Sequence, residues 1–282
     1  MKYHFNLPLI LLAFFLPVGV AYAAPTVEVV PRDTVDFIPL NPARGDASPQ
    51  AGVLWGDIRK DVPSGALITF ADGFASPPHI HNITYRAVVI EGTVFNGDKD
   101  AQNLWMEPGS FWTQPAGEVH ITAVGPTGGT AFLEILSGPY LVRPSIEAFD
   151  NGERPINIEE RNVVWMDSSD VKWIRHGSES VKGAPEIAFL WGKLGKGELH
   201  GTFIKLPSNF AGTLSGAGDN LKAVLVKGSL NHSAGDLSPP QILAPGSYVG
   251  SEGSVRHTIS CKSETACILY VRAIGKYEVS AL

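Results

Sequence analysis

The sequence predicts an all-β protein made of two tandem copies of one unit, on three observations. Thirty glycines and 21 prolines punctuate its 282 residues, which carry few long helical periods. Between them lie short runs rich in β-branched, aromatic or leucine residues. The chain also matches itself. Shifted by 136 residues, Val35–Gly92 aligns without a gap on Val171–Gly228, with 14 of 58 positions identical. Random pairing at ordinary composition would give roughly four or five.

The identities include Leu54-Trp55-Gly56 with Leu190-Trp191-Gly192, Gly65 with Gly201, Phe74-Ala75 with Phe210-Ala211, and Ala87-Val88 with Ala223-Val224. After one inserted residue Pro108-Gly109-Ser110 meets Pro245-Gly246-Ser247, and Tyr140 meets Tyr277. The runs read as strands are Ala66–Phe70, Tyr85–Ile90, Ala131–Leu136, Leu221–Val226 and Cys267–Val271, each bounded by Gly, Pro, Asp or Ser.

In chain order, Met1–Ala23 has one Lys, an apolar run from Leu7 to Val20, and Ala21-Tyr22-Ala23 before Ala24. That is the layout of a secretory signal peptide, with an A-x-A cut. The run is shorter than the ~20 apolar residues of a spanning helix and is broken by Pro17 and Gly19. The expectation is a signal over 1–23 and a periplasmic mature protein, free of the membrane after cleavage. One repeat is expected over 24–142, a polar connector over 143–163, and the second repeat over 164–282. The formal net charge of −6 becomes −7 when Lys2 leaves with the signal. That acidity argues against nucleic acid or an anionic membrane as partner.

The chemistry concentrates in two segments. In the first, Gly73 is followed after five residues by His79, after one by His81, after three by Tyr85 and after six by Gly92. In the second, Gly109 is followed after five by Pro115, after one by Gly117 and after two by His120. Residues i and i+2 of a strand share a face, so His79 and His81 can reach one cation. His120 would complete a three-imidazole site. In register, these segments resemble the two motifs of the cupin superfamily. Tyr85 stands where the family has a ligating Glu and Val124 where it has Asn. Within the cupins the chain resembles the DUF4437-type group, similar to the cupin domain of the ChrR anti-sigma factor.

The resemblance implies a double-stranded β-helix, or jelly-roll barrel, for each repeat, and one divalent transition metal (Zn, Fe, Mn or Ni) on His79, His81 and His120. It also implies association through sheet edges, a homodimer being one form. For Tyr85 both phenolate ligation and a supporting or packing role stay open. Arg86, next to it, is a candidate anion partner, although an outward surface charge is the alternative. Glu91 and Glu118 are the nearest candidate general bases.

The second copy has Ser215, Ala217 and Leu221 where the first has His79, His81 and Tyr85. Only His257, opposite His120, persists, so the second barrel is expected to bind no metal. Cys261 and Cys267, five residues apart, are expected to pair in an oxidising compartment. Two function classes lead. One is a small-molecule metalloenzyme, dioxygenase- or isomerase-like, acting on an anionic chelating substrate. The other is a non-catalytic metal- or small-ligand-binding or sensor protein. A structural role with a vestigial site is the third.

Overall fold

The computed structural model describes residues 1, 24–98, 100, 104–172, 175–176, 184–216 and 220–282. The expected signal segment therefore lies outside the described residues, as does Ala217. Two seven-stranded antiparallel sheets dominate. In the first, the strands run in the order Ile156–Ile158, Phe111–Gln114, Tyr85–Gly97, Ile121–Ile135, Ser64–Phe70, Gln50–Trp55, Phe37–Pro39. In the second the order is Thr26–Val30, Tyr248–Glu252, Leu221–Lys227, Cys267–Ile274, Leu199–Leu206, Glu186–Gly192, Met166–Asp167. From the second strand to the sixth, the orders correspond repeat for repeat, so the duplication seen in the sequence is a duplication of topology.

Strand alternation divides the side chains between two destinations. In Tyr85–Gly97, Tyr85, Ala87 and Val89 point into the first barrel, while Val88 and Ile90 join a core shared by the two repeats. That shared core contains both repeated tryptophans, with Trp55 against Tyr248 at 4.9 Å and Phe132 against Tyr270 at 5.1 Å. The repeated glycines explain themselves here. A Cβ on Gly65 would lie 2.3 Å from the Trp55 ring, and one on Gly201 would lie 1.9 Å from that of Trp191. Each tryptophan packs flat because its neighbour has no side chain. The ion pair of Arg272 and Glu134 joins the repeats at 2.7 Å, and Tyr270 donates to the same carboxylate at 2.5 Å.

The sheets cut across the boundaries expected from the sequence. Thr26–Val30, at the start of the first repeat, pairs with Tyr248–Glu252 of the second. The segment read as a polar connector supplies two strands to the first barrel. Val142–Pro144 pairs with His79–His81, and Ile156–Ile158 pairs with Phe111–Gln114. Three-residue strands among prolines and acids carry too little alternation to be read in advance. The disulfide between Cys261 and Cys267 is formed, at the hairpin joining strands Arg256–Cys261 and Cys267–Ile274.

Candidate metal centre

The three motif histidines converge at the mouth of the first barrel. His79 and His81 lie on one short strand, and His120 bridges to His79 from the segment before Ile121–Ile135. Backbone bonds of 3.0 Å run both ways between His79 and His120. Gly117 locks the turn that delivers His120. Its φ is +78°, its N–H donates to the His81 carbonyl at 2.8 Å, and a Cβ there would meet the Phe149 carbonyl at 2.4 Å. Gly92, φ +70°, sits where Tyr85–Gly97 slips register against its neighbour, so the strand bends around the barrel.

Ring centroids are 4.3 to 5.2 Å apart, and one ligand atom from each imidazole falls within 4.8 Å of the others. Every Nδ1 has a backbone carbonyl as partner: Pro77 for His79 at 2.9 Å, Leu141 for His81 at 3.1 Å, Glu118 for His120 at 3.2 Å. A carbonyl can only accept, so each Nδ1 carries the proton and each Nε2 presents a lone pair. Burial holds the rings neutral. His79 is lowered by desolvation, and His81 is pushed well below the usual imidazole range by desolvation and its two histidine neighbours. His120 is pushed down to about 3, by desolvation and by His79.

A divalent transition ion fits this donor set on an observation of the protein itself. His120 Nε2 is buried without a hydrogen-bond partner among the described residues, a vacancy that costs free energy unless something accepts the lone pair.

Tyr85 and Arg86 part company. Tyr85 is buried beside the cluster, its ring 5.1 Å from that of His81, but its hydroxyl donates to Asn96 Oδ1 at 3.1 Å. Asn96 also accepts from Thr122 at 2.9 Å and donates to Gln114 at 2.9 Å. Burial raises the Tyr85 phenol, which favours the neutral form. Arg86 is corrected as an anion partner for the site. It points to the other face, where its guanidinium stacks on Trp191 at 4.1 Å. Lys222, its counterpart, lies over Trp55 at 5.5 Å, so both cations serve the seam between repeats. Glu91 is exposed and accepts weakly from Thr130 at 3.4 Å. Glu118 contributes its carbonyl to His120, and neither carboxylate lines the cavity.

Residues not singled out in advance complete the site. A cavity of about 370 Å³ opens onto His79 and His81, walled by Ile68, Phe70, Phe74, Trp112 and Leu133, with Arg44 also lining it. Arg44 lies over Phe74 at 5.8 Å, on a loop closed by bonds from Leu40 N to Pro49 O and Asn41 N to Ser48 Oγ, both 2.9 Å. Tyr140 stacks on His81 at 4.5 Å, with its hydroxyl 3.2 Å from Nε2. Its identity with Tyr277 was the one available signal.

In the second barrel the equivalent place is filled differently. His257 is fully buried and bonds through Nδ1 to His232 Nε2 and through Nε2 to Ser251 Oγ, each at 2.9 Å. Burial pushes both imidazoles down to about 4. His232 was missed, although it stands opposite Asn96 in the repeat alignment. Ser215 pairs in the sheet opposite Arg256, and Leu221 is buried in the core. Among the described residues, His79, His81 and His120 form the one cluster able to hold a metal.

Two jelly-roll barrels from a duplicated chain, one with three imidazoles at its mouth, define a cupin. The chain belongs to the family described as Domain of unknown function (DUF4437), which it matches over residues 28–280. No curated protein matches it. Among solved structures it is similar to a protein from Nostoc punctiforme named provisionally as a dioxygenase, at 14% identity and TM-score 0.62, covering 88% of this chain and 82% of that one. AerE from Microcystis aeruginosa aligns at 13% identity and TM-score 0.52, covering 85% and 96%. A mutant oxalate decarboxylase from Bacillus subtilis aligns at 13% and 0.50, covering 94% and 80%. At such identities the likeness is one of fold.

Proposed function

We propose that this chain is an exported, metal-dependent cupin that handles a small anionic, oxygen-chelating molecule at His79, His81 and His120. The observation that carries the reading is the tautomer pattern. Three backbone carbonyls take the three Nδ1 protons, leaving three Nε2 lone pairs directed to one cluster beside a cavity of about 370 Å³. When bound, a divalent Zn, Fe, Mn or Ni ion supplies Lewis acidity and open coordination positions. The absence of a carboxylate from the donor set leaves that ion's charge uncancelled, which favours an anionic ligand.

The chain's own groups do the rest. The apolar walls exclude water from the carbon body of the ligand, and Arg44 offers a cation at the cavity's rim. Dioxygenase-like or isomerase-like turnover is the chemistry proposed, in keeping with the provisional name of the Nostoc structure. A second reading, binding or sensing without turnover, is favoured by one feature: among the described residues no Asp or Glu lines the cavity to act as general base.

The test is metal analysis of protein purified without chelators, in parallel with His81→Ala, followed by turnover assays on a 1,3-dicarbonyl and a catechol. About one ion per chain, lost in His81→Ala, supports the metal reading, and turnover selects the enzyme. A metal-free wild type that refuses added metal would sink it.

A further inference from the structure

Two tyrosines flank the histidine cluster, and their hydrogens go to different places. Tyr85, which also lines the cavity, spends its hydroxyl proton on Asn96 and accepts from Trp112 Nε1 at 3.4 Å, so its hydroxyl is not bonded to the cluster. Tyr140 is committed to the cluster. Because His81 Nδ1 donates to the Leu141 carbonyl, His81 Nε2 is an acceptor, and the contact at 3.2 Å must be Tyr140 O–H donating to it. Adjacent residues thus hold both nitrogens of one imidazole. The same segment continues as Val142–Pro144, which pairs with His79–His81, so Tyr140 is fixed to the strand it serves.

The metal reading above requires His81 Nε2 to give its lone pair to the ion. Tyr140 then loses its acceptor while its ring, stacked on His81 and packed against the barrel core, stays in place. A phenol hydrogen left without an acceptor beside an apolar cavity is costly. An oxygen of a ligand on that ion would offer it a new acceptor.

We propose that Tyr140 is the hydrogen-bond donor to the metal-bound oxygen of an anionic ligand. It would fill the place in the site that the missing carboxylate leaves, without itself becoming a ligand. The ligand class follows: carboxylates or enolates, whose bound oxygen keeps lone pairs for a second donor, rather than thiolates or amines.

The probes are Co²⁺ and acetate. Co²⁺-loaded wild type, Tyr140→Phe and Tyr85→Phe would be titrated with acetate and followed by the visible cobalt spectrum. Tyr140→Phe should take up Co²⁺ with unchanged stoichiometry and bind acetate about ten- to a hundredfold more weakly, the range expected for one hydrogen bond to a charged oxygen. Tyr85→Phe should change acetate affinity less than about twofold. In wild type and Tyr85→Phe alike, acetate should also perturb the near-ultraviolet tyrosine absorption, a readout that needs no Tyr140 variant. Equal acetate affinity in Tyr140→Phe and wild type, or no tyrosine perturbation, overturns the donor role while leaving the metal site standing. Loss of Co²⁺ from Tyr140→Phe overturns it in favour of ligation by the phenol oxygen. A wild type that binds no Co²⁺ removes the proposal together with the metal reading.

Discussion

The buried histidine pair of the second barrel should make the protein acid-sensitive, and His232→Asn should relieve part of that sensitivity. His232 and His257 titrate near 6.5 in an unfolded chain and at about 4 when folded, because burial penalises the imidazolium. Between those values the unfolded state binds more protons. Stability is therefore intact above pH 6.5 and declines as the pH falls toward 4. At pH 5 the gap is about 1.5 units, or roughly 2 kcal/mol for each histidine. His120, folded at about 3, adds a similar amount in metal-free protein. Together these approach about 6 kcal/mol, comparable with the whole stability of an ordinary domain. Asparagine at 232 copies Asn96 of the first repeat and has no titrating group. Urea unfolding of metal-free protein at pH 7 and pH 5 should show the loss shrinking by about 2 kcal/mol in His232→Asn. An acid penalty equal in variant and wild type would refute the reasoning. Metal loading should not remove the His120 share, because a ligated imidazole takes no proton in the folded state while the unfolded chain still does.

Three further outcomes follow from the same geometry. His120→Ala should lose most of its metal, whereas His257→Asn should keep it, as read by metal content after dialysis; the reverse result would misplace the site. Glu134→Ala should cost about 3–5 kcal/mol, because it strands Arg272 in the core between the repeats, and denaturant midpoints at neutral pH measure it. Reducing Cys261–Cys267 should cost only about 2 kcal/mol, since the closed loop is short, as equilibrium unfolding with and without reductant would show.

The three clustered histidines were legible because their spacing is a physical requirement. Two residues apart on a strand places His79 and His81 on one face, and the Pro115–Gly117 turn aims His120 at them. Internal repetition made the scaffold equally legible, since Trp55 and Gly65 recur wherever a ring must lie against bare backbone. Parity of the strand could have placed Arg86, which shares a face with Val88 and Ile90 rather than with Tyr85. What stayed hidden depends on long-range approach. Tyr140 reaches His81 across 59 residues, and His232 meets His257 across 25. Arg44 sits on a loop whose composition resembles any other turn. The strands of the connector were invisible because three residues are too few to show a period.

The crossing of strands between repeats has a consequence for the order in which this chain can become itself. Thr26 waits for Glu252, 226 residues later. At ordinary synthesis rates that partner emerges on the order of tens of seconds afterwards. Until then Thr26–Val30 is an unmatched valine-rich ribbon, open to the wrong neighbour. The first barrel too must wait, for Ile156–Ile158. Neither repeat is thus a finished object on its own, and a cut at the sequence boundary between them would leave each half with the other's edge. The histidine site, anchored through Val142–Pro144, belongs to a barrel that is complete only once the linking segment has been made.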